Sequence, residues 1–432
     1  MDRWLSTLIV FATVGIYVTA GGFFGVIYTD IIQTVLIFIG AGFLAWMALS
    51  QGDAARFLAD RPQEWASIAP TWNLWDGFLA GIPEGVRGSY KQFEAFGPIL
   101  LASSAWLLFR VLAGPNVWDF QFFLSARSTR DAALAGGVWT VGHTARWVLA
   151  VAFLVLSLPY LGPGNVADGE KIMPLVLREF PVGLCGLFMA ILLAALMSTL
   201  SAMINVTSSV AVNDIFKRYL ARRMGDRYLV TAGQLASVVA LLLGFLIGLR
   251  FTSVIKIWET MIFCVVTPIL VPATFRWHWW RIGPWGFTWG VVGTAAFIAL
   301  QQAFVPLETR IQLPLSVGAS LLITLAAVLA TRPGDPEVLI RFYTRVRPFG
   351  FWGPVRREAV RRGLVPESDP MPALDILNGL LTAALQVSLC ALPFCALLQL
   401  WTGAMIWAAV AGALAVVLYF TWYRTLPSWD EG

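Results

Sequence analysis

The chain has 432 residues, 58% of them hydrophobic and 13% charged, with a formal net charge of +5. Water-soluble domains carry about a quarter charged residues, so a single apolar core inside a polar shell is excluded. The basic residues sit in short loops between apolar runs and build no continuous face, which excludes a nucleic-acid partner.

Apolar runs long enough to cross about 30 Å of hydrocarbon recur along the whole chain. In order they are 4–20, 24–49, 97–114, 136–160, 181–212, 229–250, 254–275, 283–303, 313–331, 376–400 and 403–424. The pattern predicts an all-α integral membrane protein with about 11 transmembrane helices. The first run follows Asp2 and Arg3 and leads through Gly21-Gly22 into a second run. We read it as a membrane helix and not as a cleaved leader. Residues 50–96 form a long loop with Trp65, Trp72 and Trp75, expected as short helices at the membrane interface, where Trp gathers. Residues 332–375 carry Arg356, Arg357, Arg361 and Arg362 and are expected to hold a surface-lying helix drawn to anionic lipid. No separate soluble domain is expected. Cys185, Cys264, Cys390 and Cys395 all fall in apolar runs without metal-ligand spacing, so they read as packing residues.

Loop charge alternates. The loops 115–135, 213–228, 276–282, 332–375 and the C-terminus hold 18 Lys or Arg, and the other set, including the N-terminus, holds nine. The positive-inside rule places the first set in the cytoplasm. The N-terminus is then outside and the C-terminus inside, as an odd number of spans requires.

Polar groups inside spans are costly and mark function by default. The fifth run holds the strongest cluster. Ser198, Ala202, Asn205 and Ser209 recur at helical spacing on one face with Thr199 beside it, and Leu196, Leu200, Met203 and Val210 lie opposite. Two readings stand. Small polar residues let helices pack closely, or two adjacent hydroxyls and a freed carbonyl make a hard-cation site completed by a broken helix. Asp30, in the second run, reads as a carboxylate near a helix N-terminus or as a group on an ion path. His143 and Arg146 share a face of the fourth run, and Arg146 is deep enough to need a partner or water. Arg110 is expected to snorkel, and Lys256 and Glu259, three apart, to pair. Pro268, after Thr260 and Thr267, should free a carbonyl and kink its helix. No hydrolase triad, phosphate loop or zinc cluster is visible, so no enzyme is expected.

The segment Ala194-Ala195-Leu196-Met197-Ser198-Thr199-Leu200-Ser201, continuing through Asn205 to Asn213-Asp214-Ile215-Phe216-Lys217-Arg218, resembles the signature of the sodium:solute symporter family. Gly21-Gly22 followed by Thr29-Asp30 and Gln33 is similar to a second stretch of that family. Gln121 through Ser128 is similar to its cytoplasmic Gln-Arg-x-Leu-x-Ala-Lys stretch, with Phe122 where Arg is usual, and Pro181-Val182-Gly183-Leu184 also fits. The resemblance covers about residues 5–330. It implies a LeuT-like fold of two inverted five-helix repeats. It also implies a sodium site made by the Ala195 carbonyl and the Ser198 and Thr199 hydroxyls, with Asp30 near the sodium exit route. Sodium is the implied coupling ion, and no other cofactor is implied. His143 stands where a pocket-lining Lys is found in sugar-transporting relatives. With Asn205, Glu259 and Thr260 it makes up the candidate substrate-lining set.

The same resemblance implies that the array lacks the family's first four helices. Residues 1–49 would be the last two helices of the first repeat, 50–96 an external loop, and 97–275 the second repeat. Residues 276–331 would be two trailing helices, 332–375 a basic cytoplasmic loop, and 376–432 the final two helices and tail. Phe109 to Ala113 lack the aromatic gate and Asn of sugar-transporting relatives, whereas Arg341 to Pro348 resemble that branch. The expected function is sodium-driven import of a small polar solute, a sugar being favoured, across the cytoplasmic membrane. The expected partners are sodium, the solute and membrane lipid. The 432-residue chain alone is expected not to transport. The alternative is a degenerate symporter acting as sensor or scaffold.

Overall fold

The computed structural model describes residues 3–50, 54, 58, 96–114, 117–160, 169–220, 225–250, 253–367 and 373–426. The interfacial helices expected around Trp65, Trp72 and Trp75 lie outside the described residues. Every regular element among the described residues is helical. In chain order these are α1 (Arg3–Ser50), α2 (Phe96–Leu112), α3 (Val117–Leu124), α4 (Thr129–Ser157) and α5 (Ile172–Glu179). Next come α6 (Val182–Val210), continued by a π-helical stretch Ala211–Leu220, then α7 (Asp226–Gly248) and α8 (Val254–Met261). A π-helical turn, Ile262–Val266, joins α8 to α9 (Thr267–His278). Then follow α10 (Pro284–Phe304), α11 (Thr309–Ala330), α12 (Pro336–Val346) and α13 (Gly353–Arg361). The last two are α14 (Ala373–Leu397) and α15 (Trp401–Thr421).

Among the described residues, nine helical segments are long and apolar enough to cross a membrane. The other two expected spans fall on shorter apolar helices, Trp4–Thr19 and Leu100–Leu112. This is an all-α membrane protein. The expected turn at Gly21-Gly22 is real: Gly22 has φ 52° and ψ −148°, a conformation that costs other residues and that glycine adopts freely. The chain folds back there, dividing α1 into two arms. Helix α4 begins at Thr129, earlier than the apolar run, because the Ser128 side chain accepts a hydrogen bond from the Asp131 amide (3.1 Å) and caps its N-terminus. Just before Pro268 the helix widens into a π turn, closed by the Thr267 N–H donating to the Ile262 carbonyl.

The chain divides into two compact units. The first comprises Met1–Ala66, Asn116–Thr252 and Asn378–Gly432. Here α1 packs on α4, α6 and α7. The second arm of α1 runs antiparallel to α6, with Phe43 beside Phe188 at one end and Asp30 beside Ser198 further along. The first arm runs antiparallel to α7, with Phe11 against Phe245 and Gln234 donating to the Thr19 carbonyl. Between them, Val14, Val18, Val26, Ile204 and Leu241 form one buried cluster, and Leu44, Val151, Phe188 and Ile191 anchor a larger one. Lipid is as apolar as these side chains, so their cohesion comes from close packing more than from exclusion of water.

The second unit comprises Ser67–Pro115 and Ser253–Leu377. Helices α9, α10 and α11 pack on one another, and α2 packs on α9 and α11. The close approach requires glycine: a Cβ at Gly290 would lie 3.0 Å from Thr324 Oγ1 and 3.1 Å from Pro272 Cγ. Helices α12 and α13 form a small module with its own core of Ile340, Tyr343, Trp352, Val355 and Ala359.

Candidate functional site

Helix α6 divides in part as its sequence pattern predicts, but Leu200, expected on the apolar outer face, packs half-buried against the Val14–Ile204 cluster. Leu196, Met203 and Val210 are exposed, as lipid-facing side chains are. Ser198, Ala202 and Asn205 are half-buried and turn toward α1 and α3, while Ser209 is exposed. The Ser198 hydroxyl donates to Asp30 Oδ1 at 2.7 Å. Asp30 is therefore held by the neighbouring helix, not by its own N-terminus. About two turns on, Asn205 Nδ2 donates to Gln121 Oε1 at 3.0 Å, and Gln121 Nε2 reaches the Ala202 carbonyl at 3.4 Å. A short ladder of polar pairs thus links α1, α6 and α3.

Around it, the Tyr17 hydroxyl donates to the Met197 carbonyl at 3.2 Å, and the fully buried Ser201 donates to the Ser198 carbonyl at 2.9 Å. Gln33 is buried on the same arm as Asp30, and its Oε1 has no partner among the described residues. Thr199 donates to the Ala195 carbonyl at 3.2 Å. The chemical consequence lies in where the hydroxyl protons go. Ser198 gives its proton to a carboxylate and Thr199 gives its own to a carbonyl, so the lone pairs of both oxygens stay available to a hard cation. Thr199 is exposed and Ser198 half-buried.

The four substrate-lining candidates divide. Asn205 is engaged by Gln121. His143 lies on α4, its ring beside Trp139 and its Nδ1 3.2 Å from the Trp139 carbonyl. Arg146 is exposed, with no ion-pair partner found among the described residues. Glu259 and Thr260 belong to the second unit, where both are exposed and Thr260 donates to the Lys256 carbonyl at 2.7 Å. Arg110 turns back on its own chain, donating to the Gly114 carbonyl at 3.1 Å. Tyr17, Gln33, Ser201 and Gln121 were not singled out as site residues. The available signal was polar spacing: Gln33 lies three residues after Asp30 and Ser201 three after Ser198.

Among the described residues, nine apolar spans and a carboxylate held between helices by a hydroxyl define a polytopic membrane protein with a polar site within its helix array. The sodium:solute symporter family model matches residues 1–293. The chain belongs to that family. It is 26% identical over 323 residues to the sodium/glucose cotransporter of Vibrio parahaemolyticus, covering 68% of this chain and 56% of that protein. It is 28% identical over 266 residues to the sodium/mannose cotransporter of Bos taurus, covering 55% of this chain and 42% of that one. To the sodium/proline symporter of Haemophilus influenzae it is 25% identical over 340 residues, covering 76% and 64%. The chain thus spans about half the length of the first two and somewhat more of the third.

Proposed function

We propose that this chain serves sodium-coupled symport of a small polar organic solute, with a sugar or polyol as the favoured class. The carrying observation is the Ser198–Asp30 hydrogen bond, which ties the predicted cation-binding hydroxyl to the only carboxylate of the second arm of α1. Family membership and relatives named for glucose, mannose and proline support the coupling ion and the size of the solute. In this reading sodium is cargo, bound by the Ala195 carbonyl and the Ser198 and Thr199 hydroxyls, with Asp30 supplying nearby negative charge on its way inward. His143, Asn205, Glu259 and Thr260 remain the substrate-facing candidates. The fold is read as LeuT-like, embedded in the cytoplasmic membrane with the N-terminus outside and the C-terminus inside.

The test is uptake of labelled glucose, mannose, myo-inositol and proline by vesicles containing the chain, with and without an inward sodium gradient; sodium-dependent uptake would also refute the expectation that the 432 residues alone do not transport. Accumulation that needs sodium and falls in Thr199→Ala supports the reading. Equal uptake with potassium in place of sodium discards it.

A further inference from the structure

The α12–α13 module lies against the membrane ends of other helices in its unit. The Phe351 N–H donates to the His278 carbonyl at 2.7 Å, Trp352 Nε1 donates to the Trp277 carbonyl at 3.0 Å, and the His278 ring lies tilted against Phe349. These contacts fall at the end of α9 and on the short link to α10, so the module sits where two apolar spans leave the bilayer. Trp277, Trp279, Trp280 and Trp285 cluster in sequence around this link, and Trp is enriched where spans meet the headgroups.

A cavity of about 270 Å³ opens on this module, lined by Glu337, Arg341, Thr344, Arg345 and Arg362 among others. Arg362 is already engaged, bonded to Glu337 and Glu358 at 2.8–3.0 Å. Arg341 and Arg345 differ: they are exposed, one helical turn apart, and form no hydrogen bond or ion pair with other described residues. Like charges at that spacing destabilise a helix, and a bound anion would relieve the repulsion. Residues 332–367 hold eight Arg against four acidic residues. Leu364 at the rim and Val338 on α12 are exposed and apolar, as suits contact with acyl chains.

We propose that this cavity binds the phosphate-bearing headgroup of an anionic phospholipid, clasped by the Arg341 and Arg345 guanidiniums, whose forked N–H groups match phosphate oxygens. The site is separate from the α6 polar ladder and does not depend on the transport reading.

The full chain, purified in a neutral detergent, is titrated with short-chain phosphatidylglycerol or phosphatidylcholine, and bound lipid is counted by native mass spectrometry. Phosphatidylglycerol should bind roughly thirtyfold more tightly. Arg341→Gln with Arg345→Gln should abolish the preference, and Arg356→Gln with Arg357→Gln, which removes equal charge from α13, should keep it. Equal binding of the two lipids overturns the proposal, as does a preference that survives the first pair or is lost equally in the second. Displacement of phosphatidylglycerol by equimolar inorganic phosphate assigns the cavity to free phosphate and overturns the lipid assignment.

Discussion

Replacing Ser198 by Ala deletes the hydroxyl that donates to Asp30 at 2.7 Å and, in the proposed site, one of three cation-facing oxygens. A hydrogen bond to a charged group contributes about 1.5–3 kcal/mol, which is a factor of about ten to a hundred in an equilibrium constant. The sodium concentration giving half-maximal uptake should therefore rise by about that factor. Asp30→Asn keeps an acceptor oxygen at the same place and removes the charge, so it should also weaken sodium activation. The two residues touch, so their effects should not add: the double variant should cost about 0.5–3 kcal/mol less than the sum of the singles. The assay is sodium activation of solute uptake at fixed solute, normalised to the amount of each variant in the membrane. Ser198→Thr, which keeps a hydroxyl, should stay near wild type. An unchanged half-maximal sodium concentration in Ser198→Ala, or strict additivity in the cycle, would refute the assignment.

Three further outcomes test the fold away from that site. Asn378 and Thr421 form a reciprocal pair, with Thr421 Oγ1 donating to Asn378 Oδ1 at 2.7 Å and Asn378 Nδ2 donating to the Thr421 carbonyl at 3.1 Å. Interhelical hydrogen bonds in bilayers average only about 0.6 kcal/mol, so Asn378→Leu should lower the thermal midpoint in detergent slightly and not unfold the protein. Gly350 has φ 116°, and a Cβ there would lie 2.4 Å from the His278 carbonyl oxygen. Gly350→Ala should cost about 1–3 kcal/mol, read as a lower midpoint and faster proteolysis near the α12–α13 module. The Glu358 carboxyl is held below its ordinary value by hydrogen bonds from Arg361 and Arg362. A depressed carboxylate stabilises the fold above its unfolded pKa, about 4.3, and loses that contribution as pH falls through the lower folded value. Wild type and Glu358→Gln should therefore differ modestly near pH 7 and converge in melting experiments once the pH falls below the depressed folded value.

The parts of this molecule legible from sequence are those whose cause is local. Bilayer thickness imposes span length, so the long apolar runs could be read directly, and the Gly21-Gly22 turn showed because few other residues tolerate φ 52°. The two faces of α6 followed from a period of 3.6. What the faces meet was not local. Ser198 and Asp30 are 168 residues apart, and Asn205 and Gln121 are 84 apart. Nothing in either segment selects its partner, which is why the pattern of α6 alone is open to both helix packing and cation binding. Pro268 announced a disturbed helix but not the π turn just before it. The stripe Gln312, Ser316, Ser320 and Thr324 on α11 is buried throughout, with the Ser320 hydroxyl 3.2 Å from that of Thr294. Its spacing of four is present in the sequence, but single hydroxyls in an apolar run carry no signal of their own until a second helix covers them.

The basic stretch after α11 shows the same limit from the other side. Its arginines led to an expectation of one surface-lying helix drawn to anionic lipid, and the helix count differs. Tyr343 and Trp352 instead bury themselves between two short helices. Composition reads an aromatic residue near a membrane as an interfacial anchor, and only the return of α13 onto α12 turns it into core. That return also brings Arg362 to the cavity flanked by Arg341 and Arg345. Two helices thus change the prediction from diffuse attraction to a bounded site that discriminates between headgroups, which the paired arginine substitutions measure.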